Sequence, residues 1–369
     1  LDESGPLGAW QRLNAEATIP HCIEQLETSG VIDNFRRVVG GESGAPHRGF
    51  VFADSDLYKV IEAVAWEIGR SGTTAHDAWL DDMIALIGRV QEPSGYLHTW
   101  IQGVHPEKRF AELHWTHEMY VLGHWIQAAV ALDRATGRSD LLEMAVRFVD
   151  LVDRRFGPGR ERGVPRPSGD RDCPGRALPA YRGGPRHLRL AEHLIDQRGR
   201  DILPRDGFGH HYFQDHLPVR EAVDPIGHAV RQLYLDAGVT DLHLETGEEA
   251  LLEVMREQWD RVHERKMYLS GAFGSRHRDE SFGNDYELPP SDRAYAETCA
   301  TIADLQWTWR MMLATDDPRH ADVVEREIHN ALAASVDATG TRFFYSNPMQ
   351  RRPDRFSEET RRRSASLVL

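Results

Sequence analysis

An all-α fold of antiparallel helix hairpins is predicted by three features of this 369-residue chain. Apolar residues recur at helical spacing over most of its length, one kind of short turn recurs between the helical stretches, and strand-like alternation is sparse. Leu57, Val60, Ile61, Val64, Ala65 and Ile68 show the spacing best, falling at i, i+3, i+4, i+7, i+8 and i+11 on one face of a helix. Trp79, Met83, Ile87 and Val90 continue as a second helix. The same period predicts helices over 113–135, 140–154, 187–198, 222–245, 248–265, 295–314 and 319–335, and Arg342–Tyr345 is the best strand candidate.

The turns are Ala-Thr-Gly-Arg-Ser-Asp at 135–140, Glu-Thr-Gly-Glu-Glu at 245–249 and Ala-Thr-Asp-Asp-Pro at 314–318. Gly or Asp takes the C-terminal turn of one helix, and Ser or Asp accepts N–H bonds at the start of the next. Such short connections make neighbouring helices antiparallel. Hairpins in series form either a straight solenoid or a closed ring. The loops at 92–112, 200–220 and 268–294 are long enough to build a site at one end of a ring.

Composition narrows the function. A net charge of −14 argues against nucleic acid and anionic membranes as partners. No apolar run approaches the ~20 residues of a membrane span. Cys22, Cys173 and Cys299 are scattered and odd in number, which fits a reducing compartment such as the cytoplasm. There is no P-loop, no strand–GxGxxG–helix unit and no GxSxG elbow.

The richest segment is Gly271–Cys299, a Gly-, Pro- and Asp-rich loop between two helices. It carries Asp279, Glu280, Asp285 and Glu287, then Glu297 and Cys299 at the entry to the next helix. Two carboxylates in different environments divide acid and base work. Glu297 and Cys299 share a side in extended backbone and could there chelate one metal, although two ligands do not make a site. The competing reading is a solvated acidic loop with a buried cysteine. His114, His117 and His124 fall at spacings that let them share a helix face, and His228 sits in Gly227-His228-Ala229. Together with Tyr96, Trp100, Trp115 and Trp125 they would suit a sugar, through stacking and hydroxyl hydrogen bonds; each alone is more often core.

Taken together, these segments resemble glycoside hydrolase family 127, the β-L-arabinofuranosidase family. The matching pieces include Ile32-Asp33-Asn34-Phe35-Arg36, Gly49-Phe50-Val51-Phe52 with Asp54-Ser55-Asp56-Leu57-Tyr58-Lys59, and Gln91-Glu92-Pro93-Ser94-Gly95-Tyr96-Leu97. His117-Glu118-Met119-Tyr120 with Gly123-His124, Ile195-Asp196-Gln197-Arg198-Gly199, Pro218-Val219-Arg220, Gly227-His228-Ala229-Val230 and the Gly271–Cys299 loop follow in family order. The resemblance implies an (α/α)6 barrel followed by β-sandwich domains, and a retaining exo-glycosidase with a zinc-bound cysteine nucleophile. It implies Glu280 as acid/base, Glu297 and Cys299 as two of four Zn2+ ligands, and His117, His228 and Tyr345 as sugar contacts. It also implies an oligosaccharide or glycoside as the partner, with homodimerisation left open.

Two departures bear on that expectation. The family carries a Cys-x-Cys-Cys-Pro-Pro run, bearing the nucleophile and the other zinc ligands, a few tens of residues after the Tyr345 strand, whereas here no cysteine follows Cys299. The expectation is therefore a barrel incomplete at its C-terminus, without the β-sandwiches, and inactive alone. The family also has Gly-His-Pro-Glu and an amphipathic helix where residues 166–184 read R-P-S-G-D-R-D-C-P-G-R-A-L-P-A-Y-R-G-G, with no helical period. A compensated one-base slip in the gene would account for that stretch, and sequencing across its codons decides it. The competing functions are an α/α-barrel isomerase or lyase with His228 or His117 as base, needing no zinc, and a non-catalytic carbohydrate-binding protein.

Overall fold

The computed structural model describes residues 4–40, 46–160, 184–200, 208–289 and 294–347, with the backbone of 363–364. Residues 166–183, including Cys173, lie outside the described residues. In chain order the helices are α1 (Pro6–Leu13), α2 (Ile19–Thr28), α3 (Val31–Gly40), α4 (Asp54–Ser71), α5 (Asp77–Val90), α6 (Thr99–Val104), α7 (Leu113–Thr116) and α8 (Glu118–Thr136). They continue as α9 (Asp140–Phe156), α10 (Gly184–Asp196), α11 (Gly209–Tyr212), α12 (Ala229–Thr246), α13 (Glu249–Arg265), α14 (Thr298–Ala314), α15 (Arg319–Glu327) and α16 (Ala333–Ser335). A two-residue strand, β1 (Phe343–Phe344), pairs antiparallel with β2 (Arg363–Ser364).

Burial sorts the helices into layers. Met119–Ile126 of α8 and Ala229–Thr240 of α12 are buried without interruption. A helix buried on every side belongs to the interior. By contrast, α9 buries one face, through Leu141, Leu142, Ala145, Phe148, Val149 and Val152, and α13 does the same with Leu251, Leu252, Met255, Trp259 and Val262. Inner α4 packs along α8 and inner α12 along α14, while α9 backs α8 and α13 backs α12. Gly137 and Gly247 end α8 and α12 in the left-handed conformation, at φ 75° and 71°. The two glycine turns thus end their helices as read, but neither Ser139 nor Glu248 makes a side-chain cap, and α14 ends at Thr315 in extended backbone rather than on an Asp.

The structure corrects the sequence reading in three places. The predicted 113–135 helix is broken at His117, which takes φ 56° between α7 and α8. His114, His117 and His124 therefore do not share one helix face. His114 packs on Phe213, and His124 lies between Tyr120 and Tyr234. The predicted 222–245 helix starts only at Ala229, because Gly227 takes φ 70°. Tyr96 and Trp125 are fully buried core residues, Trp125 stacked on Tyr58 at 5.3 Å, so neither is available to stack on a sugar.

The turn at Gly227 sets up the site and tolerates no side chain. A Cβ there would stand 2.0 Å from the His211 carbonyl oxygen. Gly227→Ala is expected to cost on the order of 3 kcal/mol, from the left-handed backbone and the clash together. A denaturant melt checks this, and an unchanged midpoint would contradict it.

Candidate active site

The N-terminal ends of α12 and α14 and the 268–294 loop build one cluster. His228 is the residue before α12, and Glu297 holds the same position before α14. The loop between them is paired to both sides. Ala229 N–H donates to the Glu280 carbonyl at 3.0 Å and Phe282 N–H to the Gly227 carbonyl at 2.9 Å. Ala296 N–H donates to the Gly274 carbonyl at 2.9 Å. Held from both sides, Glu280 adopts φ 56° and Ala296 φ 45°. Non-glycine residues in the left-handed region cost about 1–3 kcal/mol each and persist where their surroundings over-determine them.

The result brings His228, Glu280 and Glu297 together, with one ligand-type atom of each within 4.8 Å of the others. The Glu280 carboxylate is clasped: Oε2 lies 2.9 Å from His228 Nε2, and Oε1 accepts from the Tyr295 hydroxyl at 2.7 Å. Burial, then the carboxylates of Glu280 and Glu297, push the Tyr295 phenol up, so it remains a neutral donor. His228 and Glu297 are 2% and 1% exposed, whereas the Glu280 side chain is 31% exposed and opens to solvent. One carboxylate can therefore exchange a proton with something outside the protein while its neighbours are shielded.

The other expected residues lie around this cluster. The Tyr345 carbonyl accepts from Thr298 N–H at 2.9 Å, and its ring lies 6.1 Å from that of Tyr295. Cys299 is buried in the first turn of α14 but is not one of the three residues gathered within 4.8 Å. Burial opposes the charge of the Lys59 ammonium, but Tyr120, Asp56 and Cys299 outweigh it and its pKa is raised. His117 reaches the cluster through Arg231, whose Nη2 is 3.5 Å from His117 Nε2, one turn after His228 on α12.

The remaining loop acids are structural: Asp285 pairs with Lys266 at 3.0 Å and Arg265 at 3.3 Å, and Glu287 accepts from Asn284 N–H at 2.7 Å. Tyr295, Arg231 and Lys59 had not been singled out from the sequence. Their roles come from the fold, since Ala296 at φ 45° turns the chain between Tyr295 and Glu297.

Residues 3–366 match the family model for the GH127 catalytic domain of β-L-arabinofuranosidases. A non-reducing end β-L-arabinofuranosidase of Bifidobacterium longum subsp. longum is 35% identical over 342 residues, covering 86% of this chain and 51% of that protein. A GH127 β-L-arabinofuranosidase from Geobacillus stearothermophilus T6 superposes with a TM-score of 0.85 at 34% identity, covering 95% of this chain and 59% of that one. A second GH127 β-arabinofuranosidase structure gives 0.84 at 33% identity, over 92% of this chain and 54% of that one. Cellobiose 2-epimerase from Bacillus thermoamylovorans B4167, at 10% identity and a TM-score of 0.50, shares the fold alone. The chain spans about half the length of the curated relative it matches. On the family match, the sequence identity and the barrel of helix hairpins together, the chain belongs to glycoside hydrolase family 127, within its catalytic domain.

Proposed function

We propose that this chain forms the barrel of a retaining exo-glycosidase that releases terminal β-L-arabinofuranosyl groups, with Glu280 as acid/base. The observation that carries the reading is the clasped, half-exposed Glu280 carboxylate beside buried His228 and Glu297. Oε1 accepts from Tyr295 and Oε2 lies beside His228, and Oε2 is assigned as the oxygen where a proton leaves and returns. In the first step Oε2–H protonates the glycosidic oxygen as its bond to the anomeric carbon breaks. In the second step Oε2 takes a proton from the water that attacks the same carbon and displaces the enzyme nucleophile, the thiolate implied by the family resemblance, that bonded there in the first step. His228 Nε2, 2.9 Å away, steadies that proton in both directions. His117, His228 and Tyr345 hold the sugar.

The donors present fit zinc: a carboxylate from Glu297 and a thiol from Cys299, 1% and 3% exposed, enter one helical turn whose orphan N–H groups favour anionic ligands. Glu297 and Cys299 would hold the ion, which when bound supplies a deprotonated, oriented thiolate. By family resemblance that thiolate is carried by a Cys-x-Cys-Cys-Pro-Pro run, and no cysteine of this chain follows Cys299.

Product stereochemistry tests the reading. The protein, given a disaccharide ending in β-L-arabinofuranose, is expected to release β-configured L-arabinofuranose first, as followed by NMR. First release of the α-anomer would overturn the retaining assignment. Release from internal positions would overturn the exo assignment.

A further inference from the structure

Behind His117 lies a buried carboxylate that the proposed reaction does not use. Glu118, the first residue of α8, is 0% exposed. Its Oε1 accepts from the Tyr96 hydroxyl at 2.5 Å and its Oε2 from the Thr116 hydroxyl at 2.7 Å. The Phe110 backbone N–H donates to both oxygens, at 3.1 and 3.2 Å. Burial pushes the Glu118 carboxyl up, and these bonds act the other way. Tyr96 ends the turn that begins at Gln91, and that turn is itself fixed. Gly95 has φ 97°, and a Cβ on it would lie 2.3 Å from the Arg147 carbonyl oxygen. The Arg109 guanidinium lies 4.1 Å over the Tyr96 ring and pairs with Glu92. Three separate segments therefore close on this carboxylate of α8: the 91–97 turn, the chain at Phe110 and α7.

Phe110 and His117 are both in the left-handed region, at φ 57° and 56°. Glu118 holds the first through its N–H and directly follows the second. The turn at His117 swings the ring back so that Nδ1 lies 2.5 Å from the Trp115 carbonyl oxygen. A carbonyl only accepts, so Nδ1 carries the proton and Nε2 presents a lone pair. That Nε2 faces Arg231 Nη2 at 3.5 Å, beside the His228–Glu280 cluster.

We propose that Glu118 is a positioning residue. With Tyr96 and Thr116 it clamps residues 110–117 so that His117 keeps its left-handed backbone and its Nδ1–H tautomer, and offers Nε2 as an acceptor to a sugar hydroxyl. The acceptor role rests on the reading of His117 as a sugar contact; the clamp does not. It gives the Gln91–Leu97 turn a purpose in the site that its sequence alone does not reveal.

The experiment is 15N NMR of the histidine-labelled chain, with His117 assigned by loss of its signals in His117→Gln, alongside calorimetric titration with methyl β-L-arabinofuranoside. The wild-type chain is expected to show His117 as the Nδ1–H tautomer. Glu118→Ala is expected to scramble that tautomer and weaken sugar binding at least tenfold. Glu118→Gln, which keeps an acceptor for Phe110 N–H, is expected to restore most of both. If Glu118→Ala does not fold, Tyr96→Phe and Thr116→Val carry the test, each expected to shift the His117 signals in part. Unchanged His117 signals in a folded Glu118→Ala, or in both milder variants, overturn the proposal. Scrambled signals with no sugar binding by the wild-type chain support the clamp and remove the sugar reading instead.

Discussion

Glu280→Gln is expected to lower hydrolysis of an alkyl β-L-arabinofuranoside by about 10²–10⁴-fold. The amide keeps the shape and still accepts from the Tyr295 hydroxyl, but no proton can leave from the position of Oε2. The loss should depend on the leaving group. An alkoxide leaves poorly and needs the proton, whereas a nitrophenolate leaves almost unaided, so the first step on a nitrophenyl glycoside should be affected far less. Substrate affinity should change little, because Glu280 is assigned to proton transfer rather than to holding the sugar. Equal losses on both substrates, measured as pre-steady-state rates, would remove Glu280 from the acid role.

Removing either buried donor at the start of α14 is the second large effect. Glu297→Gln and Cys299→Ser are each expected to weaken zinc binding on the order of 100-fold or more, since a lost ligand costs more than a lost supporting contact. Glu297→Gln keeps volume and burial, so the fold should survive it. Competition with a chromophoric chelator reads the affinity without any need for turnover. Full zinc retention by both variants would mean that these residues do not hold the ion.

The hairpins were legible because helical periodicity and glycine C-caps are local signals, and both were strong at Leu57–Ile68, Gly137 and Gly247. The break at His117 was not, because nothing near it marks a left-handed residue: the conformation is imposed by Glu118, Tyr96 and Phe110, which meet only in three dimensions. Likewise the loop acids looked alike in sequence, and the fold distinguished them. Lys266 and Arg265 pair with Asp285, Asn284 N–H donates to Glu287, and Glu280 sits between His228 and Tyr295. Tyr96 and Trp125 read as sugar platforms because aromatic residues suit both a core and a sugar, and burial decided for the core. Glu297 and Cys299 enter the site reading through the family resemblance, since their spacing alone left a solvated loop and a buried cysteine as the competing reading. The gathering of His228 and Glu280 around Glu297 joins residues far apart in the chain, which the spacing does not encode.

Titration of methyl β-L-arabinofuranoside into the 369-residue chain tests the central claim most directly, because it needs neither the nucleophile nor turnover. Saturable one-to-one binding is expected, lost in His228→Ala and kept in Glu280→Gln. No saturable binding, or binding indifferent to His228→Ala, would contradict the assignment of this cluster as the sugar site.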